Sequence, residues 1–220
     1  MISYEVSLGL IIMPILLFSG TANLSGIVLL QEYIFFFIPL WPSFILFFIS
    51  ILAETNRLPF DLPEAESELV SGFMTEHAAV IFVFFFLAEY ASIVLMCILT
   101  SILFIGGYLF IDYTQIFTIL DQILFNLFFI DSIYLLQSYL ENIYYNYIIE
   151  GIYYALCLGL KSSIMIFIFI WARASFPRIR FDQLMAFCWT VLLPIIFALI
   201  ILVPCILYSY NIFPANINLF

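Results

Sequence analysis

The sequence predicts an all-α polytopic membrane protein with about five transmembrane helices plus interfacial amphipathic helices. Of its 220 residues 66% are hydrophobic, only 9% are charged, and the mean hydropathy is +1.23. A soluble domain carries roughly 25% charged residues to keep its surface hydrated. The composition therefore excludes a soluble enzyme and a disordered chain. The net charge of −10 leaves no electrostatic basis for nucleic-acid binding.

Five apolar stretches approach the roughly 20 residues that a helix needs to cross a bilayer. The first runs over residues 4–18 and is interrupted by the polar segment 19–23. The other four stretches cover residues 33–52, 78–105, 152–172 and 184–209. Pro39 and Pro42 lie in the second stretch, and Pro194 and Pro204 lie in the last one. Proline removes a helical hydrogen bond, so these positions predict kinks.

Residues 112–150 predict helices that lie in the membrane interface. Polar residues recur here every four positions, as in Thr114, Thr118 and Gln122, with apolar residues between them. The alternative is a sixth span over residues 116–136. That span would bury Asp121 and Asp131, at a cost of about 2.5–3.5 kcal/mol each.

Charge distribution also favours five spans within one membrane domain, residues 1–220. If residues 112–150 do not cross the bilayer, Arg57 lies on the same side as Arg173, Arg178 and Arg180, as the positive-inside rule expects. Residues 1–111 then hold three spans and an acidic loop, 53–78. Residues 151–220 hold the last two spans.

The acidic loop and the span that follows it are the strongest candidate site. Seven of the fifteen carboxylates fall in residues 53–90: Glu54, Asp61, Glu64, Glu66, Glu68, Glu76 and Glu89. Like charges beside a low-dielectric layer raise the pKa of some members, which can then bind and release protons near neutral pH. Asp61 and Glu64 also fit a helix capping box, and the run from Glu64 to Glu68 also fits a solvated loop face.

Glu89 and three further residues are candidates in their own right, because charged or titratable groups are rare in this chain. Glu89 lies inside a predicted span, where carboxylates are functional by default. Lys161 also lies within a span and fits either a structural charge pair or a proton relay. Arg57 fits a site for a carbonyl-bearing headgroup, or a partner for Asp61 four residues on. His77 fits a proton carrier or an interfacial hydrogen-bonded residue.

The sequence holds no motif for binding a redox cofactor. Its four cysteines are isolated in apolar runs, and glycine-rich phosphate loops and paired haem histidines are absent. Any redox chemistry is therefore expected on partner chains.

Several of these motifs together resemble a known family. Residues 53–69 and Leu87-Ala88-Glu89-Tyr90 are similar to the signature of subunit 1 of NADH:ubiquinone oxidoreductase (respiratory complex I), the membrane subunit against which the quinone site is built. Ser3-Tyr4-Glu5-Val6, residues 171–178 and residues 180–184 resemble further segments of that family, in the same order. Lys161 also matches a lysine of the family.

The resemblance implies roles that spacing alone does not give. The residues matching a proton path from the quinone cavity are Glu5, Glu54, Asp61, Glu64, Glu66, Glu68, Glu76 and Glu89. Those matching the quinone cavity and the peripheral-arm side are Arg57, Phe60, Arg173, Arg178 and Arg180. The implied function is a subunit of the proton-translocating enzyme that binds no redox centre or metal itself. Its substrate is ubiquinone, and flavin and iron–sulfur clusters reside on partner subunits.

The resemblance also implies partners and a location. These are the peripheral quinone-module subunits, the adjacent membrane subunits, membrane lipid, and the mitochondrial inner membrane. The sequence departs from the family at His77, where tyrosine is usual, and in the length of residues 112–150. It also begins at the fourth of the family's eight helices, so we expect a separate chain with the first three.

Two other functions share some of these features. The equivalent subunit of an ion-pumping membrane hydrogenase carries the same carboxylate motif. A proton-coupled secondary transporter is disfavoured, because such proteins usually show internal repeats that this sequence lacks.

Overall fold

The computed structural model describes residues 2–32, 34–60, 79–109 and 147–211. In these ranges every regular element is helical, which confirms the predicted all-α class. The helices are α1 (Ile2–Ser19), α2 (Leu24–Leu30), α3 (Trp41–Glu54), α4 (Ala79–Phe104), α5 (Tyr147–Ser175), α6 (Phe181–Ala186), a π-helical turn (Phe187–Leu192) and α7 (Leu193–Ser209). The predicted interfacial helices of residues 112–150 lie outside the described residues up to residue 146, and residues 147–150 instead form the first turn of α5.

Three helices are long and apolar enough to cross a bilayer within the ranges described. They are Val80–Phe104 and Gly151–Ser175, with 25 residues each, and Phe181–Ser209, with 29. A bent pair, Tyr4–Ser19 with Leu24–Leu30, makes a fourth if it counts as one span. The remaining predicted stretch contains α3, which is apolar but shorter. The chain is therefore an all-α membrane protein.

The predicted interruption after residue 18 is confirmed. Helix α1 ends at Ser19, and Gly20 takes a φ of 67°, in the left-handed region that glycine adopts without steric cost. Asn23 then caps α2 by accepting a hydrogen bond from the backbone N–H of Ser25 at 3.2 Å. The two helices meet at 57°.

The second predicted stretch, residues 33–52, forms a shorter helix than expected. Helix α3 starts only at Trp41, with Pro42 in its first turn, where the missing N–H costs nothing. The turns before α3 are bonded to a distant segment, because the N–H of Phe37 donates to the carbonyl of Phe104 at 2.9 Å. Tertiary contact with the end of α4 therefore replaces helical hydrogen bonding.

The last predicted span contains a π-helical turn. Its closing hydrogen bond runs from the N–H of Leu193 to the carbonyl of Cys188, five residues back. Pro194 follows at once and has no N–H to continue the α-helical pattern. The hydroxyl of Thr190, in this turn, donates to the carbonyl of Ala186, the last residue of α6, at 2.6 Å.

The helices pack around one apolar core. Helix α1 packs against α7 and α3, and α4 packs against α5. Fully buried side chains come from these different helices and include Ile15, Phe47, Phe104 and Phe169. This packing brings the beginning of α1, the end of α3 and the beginning of α6 to one end of the bundle, as the contacts below show.

Candidate functional site

The candidate site lies where four segments of the chain meet. The phenol hydroxyl of Tyr4, in α1, donates to the carbonyl of Leu184, in α6, at 2.9 Å in a buried hydrogen bond. The N–H of Ile179 donates to the carbonyl of Pro59 at 3.1 Å. These bonds join the start of α1, the turn after α3 and the segment between α5 and α6. The fourth segment is α4, which carries Glu89.

The turn after α3 is a Schellman motif. Asn56 has a φ of 49°, and its N–H donates to the carbonyl of Ala53 at 3.3 Å. The N–H of Arg57 donates to the carbonyl of Leu52 at 3.4 Å. Both bonds satisfy helix-terminal carbonyls, and asparagine tolerates the left-handed conformation better than most residues. This geometry fixes the direction in which Arg57 leaves the helix.

Arg57 and Glu89 form a buried ion pair. Nε of Arg57 lies 2.5 Å from Oε1 of Glu89, and the side chains are only 8% and 11% exposed. The contact is an ion pair, and neither atom makes a hydrogen bond within the described residues. The guanidinium carbon also lies 5.0 Å from the ring centre of Tyr90, a cation–π distance.

Both members of the pair keep further hydrogen-bonding capacity. Nη2 of Arg57 and Oε2 of Glu89 are buried and have no hydrogen-bond partner within the segments described. Buried polar atoms without partners are rare, because each costs the solvation it has lost. The pair therefore offers the N–H groups of Nη2 as donors and Oε2 as an acceptor to a further group.

Phe60 links the turn after α3 to the apolar core. Its N–H donates to the carbonyl of Arg57 at 2.8 Å, and its ring lies 5.9 Å from the ring of Tyr4. Phe60 is buried in the core. The ring therefore anchors the turn on α1, and its predicted contact with a quinone stays a prediction.

Glu54 and Glu5 form a second acidic position at the same end. Glu54 is the last residue of α3 and is half-buried, whereas Glu5 is exposed. Burial, and to a lesser degree the nearby Glu5 carboxylate, raise the pKa of Glu54 above its usual value. A carboxyl group in this setting holds its proton to higher pH than a solvated one.

The three other predicted arginines lie in or near the segment that follows α5. Arg173 is exposed in the last turn of α5, Arg178 is partly buried, and Arg180 is exposed directly before α6. The hydrogen bond from Ile179 to Pro59 brings this segment against the turn that carries Arg57.

Five of the predicted carboxylates, and His77, fall outside the described residues: Asp61, Glu64, Glu66, Glu68 and Glu76. Their roles, and the alternative pairing of Arg57 with Asp61, stay predictions. Among the residues that are described, no group of three or more His, Cys, Asp or Glu side chains could hold a metal ion.

Sequence reasoning missed the pairing of Arg57 with Glu89. The signal was present in two separate observations: Glu89 needs compensation inside the membrane, and Arg57 is the nearest fixed cation in the acidic block. It also missed Tyr4, whose hydroxyl reaches across the site to α6.

Comparison with known proteins gives consistent matches over almost the whole chain. A sequence profile of the NADH dehydrogenase family matches residues 1–204. The NADH-ubiquinone oxidoreductase chain 1 of Neurospora crassa is 63% identical over 224 residues, which covers 100% of this chain and 60% of the relative. The chain 1 of Podospora anserina is 63% identical over 228 residues, covering 99% and 60%. The chain 1 of Chondrus crispus is 47% identical over 215 residues, covering 97% and 56%.

The chain thus spans about 60% of the length of the two fungal relatives.

Proposed function

The chain belongs to the NADH dehydrogenase family, and from that premise we propose that it is a membrane subunit of a proton-pumping NADH:ubiquinone oxidoreductase. In this role it forms part of the quinone cavity and of the carboxylate path that couples quinone reduction to proton translocation. The name that the three relatives above share, NADH-ubiquinone oxidoreductase chain 1, supports the assignment to this enzyme.

The buried Arg57–Glu89 pair is the observation that carries the proposal. A carboxylate inside a membrane is costly, and a cation 2.5 Å away offsets that cost. If a reduced quinone headgroup develops negative charge nearby, the guanidinium is drawn toward it. Glu89 then loses its compensating charge and binds a proton instead. In this way a redox event at the quinone is converted into proton uptake by a side chain.

The polar atoms of Arg57 and Glu89 that are unpartnered among the described residues suit this transfer of the guanidinium from Glu89 to the quinone. Nη2 of Arg57, buried and without a partner in the described part of the chain, is a donor suited to a quinone carbonyl oxygen. Oε2 of Glu89, equally unoccupied there, is an acceptor for an incoming proton. We place Arg57 at the junction of the cavity and the path, with Glu89 as the first carboxylate of the path.

Glu54 and Glu5 extend the path at the same end of the bundle. The raised pKa of Glu54 allows this carboxyl to bind and release protons at higher pH than a solvated glutamate. Protonation of Glu54 also removes its repulsion with Glu5. The acidic loop carboxylates Asp61, Glu64, Glu66, Glu68 and Glu76 complete the proposed path.

The remaining proposals concern location and partners. We place the chain in the mitochondrial inner membrane, among the other membrane subunits of the complex. Arg173 and Arg180 are exposed beside the site, and they and Arg178 face the peripheral quinone-module subunits in this proposal. Flavin and iron–sulfur clusters are carried by partner subunits, and ubiquinone is the substrate.

The test replaces Arg57 by alanine in the assembled complex. Electron transfer from NADH to ubiquinone should fall strongly, because the cavity loses its cation. Electron transfer from NADH to an artificial acceptor should persist, because that acceptor is reduced in the peripheral arm. Ser163→Ala serves as a control away from the site, because this hydroxyl donates to the carbonyl of Leu160 within α5. Equal loss of both activities in Arg57→Ala would mean disassembly, and normal quinone reduction would refute the role of Arg57.

A further inference from the structure

The C-terminal end of α4 is closed by donors that come from other parts of the chain. The side-chain amide of Gln31 donates to the carbonyls of Ile102 and Leu103, at 3.0 and 3.2 Å. The N–H of Phe37 donates to the carbonyl of Phe104 at 2.9 Å. The last carbonyls of a helix have no partner within it, and in apolar surroundings they need one from elsewhere.

Lys161, in α5, donates hydrogen bonds to carbonyls just beyond the C-terminal end of α4. Its ammonium donates to the carbonyl of Ile105 at 2.7 Å and also to the carbonyl of Leu109. Its Nζ lies 5.1 Å from the ring centre of Phe35, and the residue is only 6% exposed. A cation is favoured at the negative end of a helix dipole, and an ammonium group has three donors to share.

The N-terminal half of α4 exposes much of its apolar surface. Val80, Val83, Phe84 and Leu87 are all exposed in its first turns. Glu89, which ends this half of the helix, lies fifteen residues before Phe104, or about 22 Å along the axis at 1.5 Å per residue. The position of Glu89 along the axis therefore depends on its contact with Arg57 and, through the rigid helix, on the contacts at the far end.

We propose that Gln31 and Lys161 are positioning residues for Glu89. Together they clamp the C-terminal end of α4 and so hold the Glu89 carboxylate level with the Arg57 guanidinium. The inference rests on the proposed function of Glu89 in the proton path. Lys161 contributes hydrogen bonds and a fixed positive charge, so proton release from Lys161 is no part of its role.

The experiment uses the assembled complex in its native membrane. Gln31→Met and Lys161→Met keep approximate side-chain length and remove the donors. Lys161→Arg keeps a cation and donors that are not deprotonated in proteins. Ser163→Ala is the matched control on α5, because within the described residues that hydroxyl donates to the carbonyl of Leu160 in its own helix. Each change is made alone and together with Glu89→Gln, and NADH:ubiquinone reductase activity is measured.

Each methionine variant should lower the activity by on the order of tenfold. Lys161→Arg and Ser163→Ala should stay close to the unmodified complex. Adding either methionine change to Glu89→Gln should lower the residual activity no further, because all three act through one carboxylate. Residues this far apart normally have independent effects, so this non-additivity is specific to the clamp.

Two results would overturn the inference. One is a multiplication of the losses when the changes are combined with Glu89→Gln. The other is full activity in Gln31→Met together with inactivity in Lys161→Arg, which would make Lys161 a relay. If Lys161→Met does not assemble, Gln31→Met carries the test, since it leaves every charge in place.

A silent Glu89→Gln would refute the proposed function instead, and a distance measurement then tests the clamp alone. Spin labels at Leu58→Cys and Leu87→Cys, in a Cys205→Ser background, report the axial position of α4 whatever reaction the complex catalyses. The distance should change in both methionine variants and stay constant in Ser163→Ala. An unchanged distance in the methionine variants would refute the clamp.

Discussion

The Arg57–Glu89 pair makes a strong prediction about stability when only one of its charges is removed. Arg57→Met leaves a buried carboxylate without its cation. At 2.5 Å, and with an effective dielectric constant of about 20, the attraction is about 7 kcal/mol. Desolvation of both groups offsets part of this. We therefore expect a net loss of about 3–5 kcal/mol, the usual cost of breaking a buried pair.

The double variant Arg57→Met with Glu89→Gln should be far less destabilised than the sum of its two single variants. It removes both charges and leaves no buried ion uncompensated. We expect a coupling free energy of about 2–3 kcal/mol in a double-mutant cycle. The measurement is the urea concentration at which half of the chain has left the complex, followed on native gels. Ser163→Ala is the control, because its exposed hydroxyl donates within α5 and its loss should matter by less than about 0.5 kcal/mol.

Simple additivity of the two single variants would refute this reasoning. It would mean that the two charges are solvated separately and that the contact contributes nothing to stability. A loss in Ser163→Ala as large as that in Arg57→Met would point to a general sensitivity of the complex to substitution instead.

Three further predictions concern positions whose geometry is equally specific. Asn56→Ala should cost about 1–2 kcal/mol in the same urea assay, because its φ of 49° disfavours a β-carbon, whereas Asn56→Gly should be tolerated. The raised pKa of Glu54 means that the folded state binds its proton more tightly than the unfolded state. Stability is therefore lost as pH rises from the usual glutamate pKa to the folded value, and Glu54→Gln should flatten that dependence in thermal melts. Gly106→Ala should destabilise, because its φ is 78° and a β-carbon would lie 2.9 Å from the Phe35 ring; Gly159→Ala, with nothing within 4 Å, should be neutral. Equal melting temperatures for the two alanine variants would contradict the last expectation.

Most of the fold could be predicted because composition decides it. Long apolar runs without charge form helices in a membrane, where every backbone group needs an internal partner. Sequence motifs also predicted the structure correctly where it depends on neighbouring residues, as at the break after Ser19. The late start of α3 was harder to predict, because the hydrogen bond from Phe37 to Phe104 depends on packing between distant segments.

The site was only partly predictable for the same reason. Sequence alone identified Arg57 and Glu89 as unusual, since each is a charge that needs an explanation. It could not pair them, because thirty-two positions separate them and several carboxylates compete for one arginine. Gln31 carried no sequence signal at all, because a single glutamine beside an apolar run fits many environments. Only the packed structure gives it the carbonyls of Ile102 and Leu103.

The ties between distant segments are made largely by the main chain, and this affects how substitutions can be tolerated. The acceptors at Pro59, Phe104 and Leu184 are backbone carbonyls, and the donors at Phe37 and Ile179 are backbone N–H groups. Drift in side-chain identity leaves these groups in place, so relatives can diverge here without separating the segments. Alanine substitutions at these positions would keep the bonded backbone groups and so would not reveal these contacts. Proline at residue 37 or 179 would remove the N–H donor.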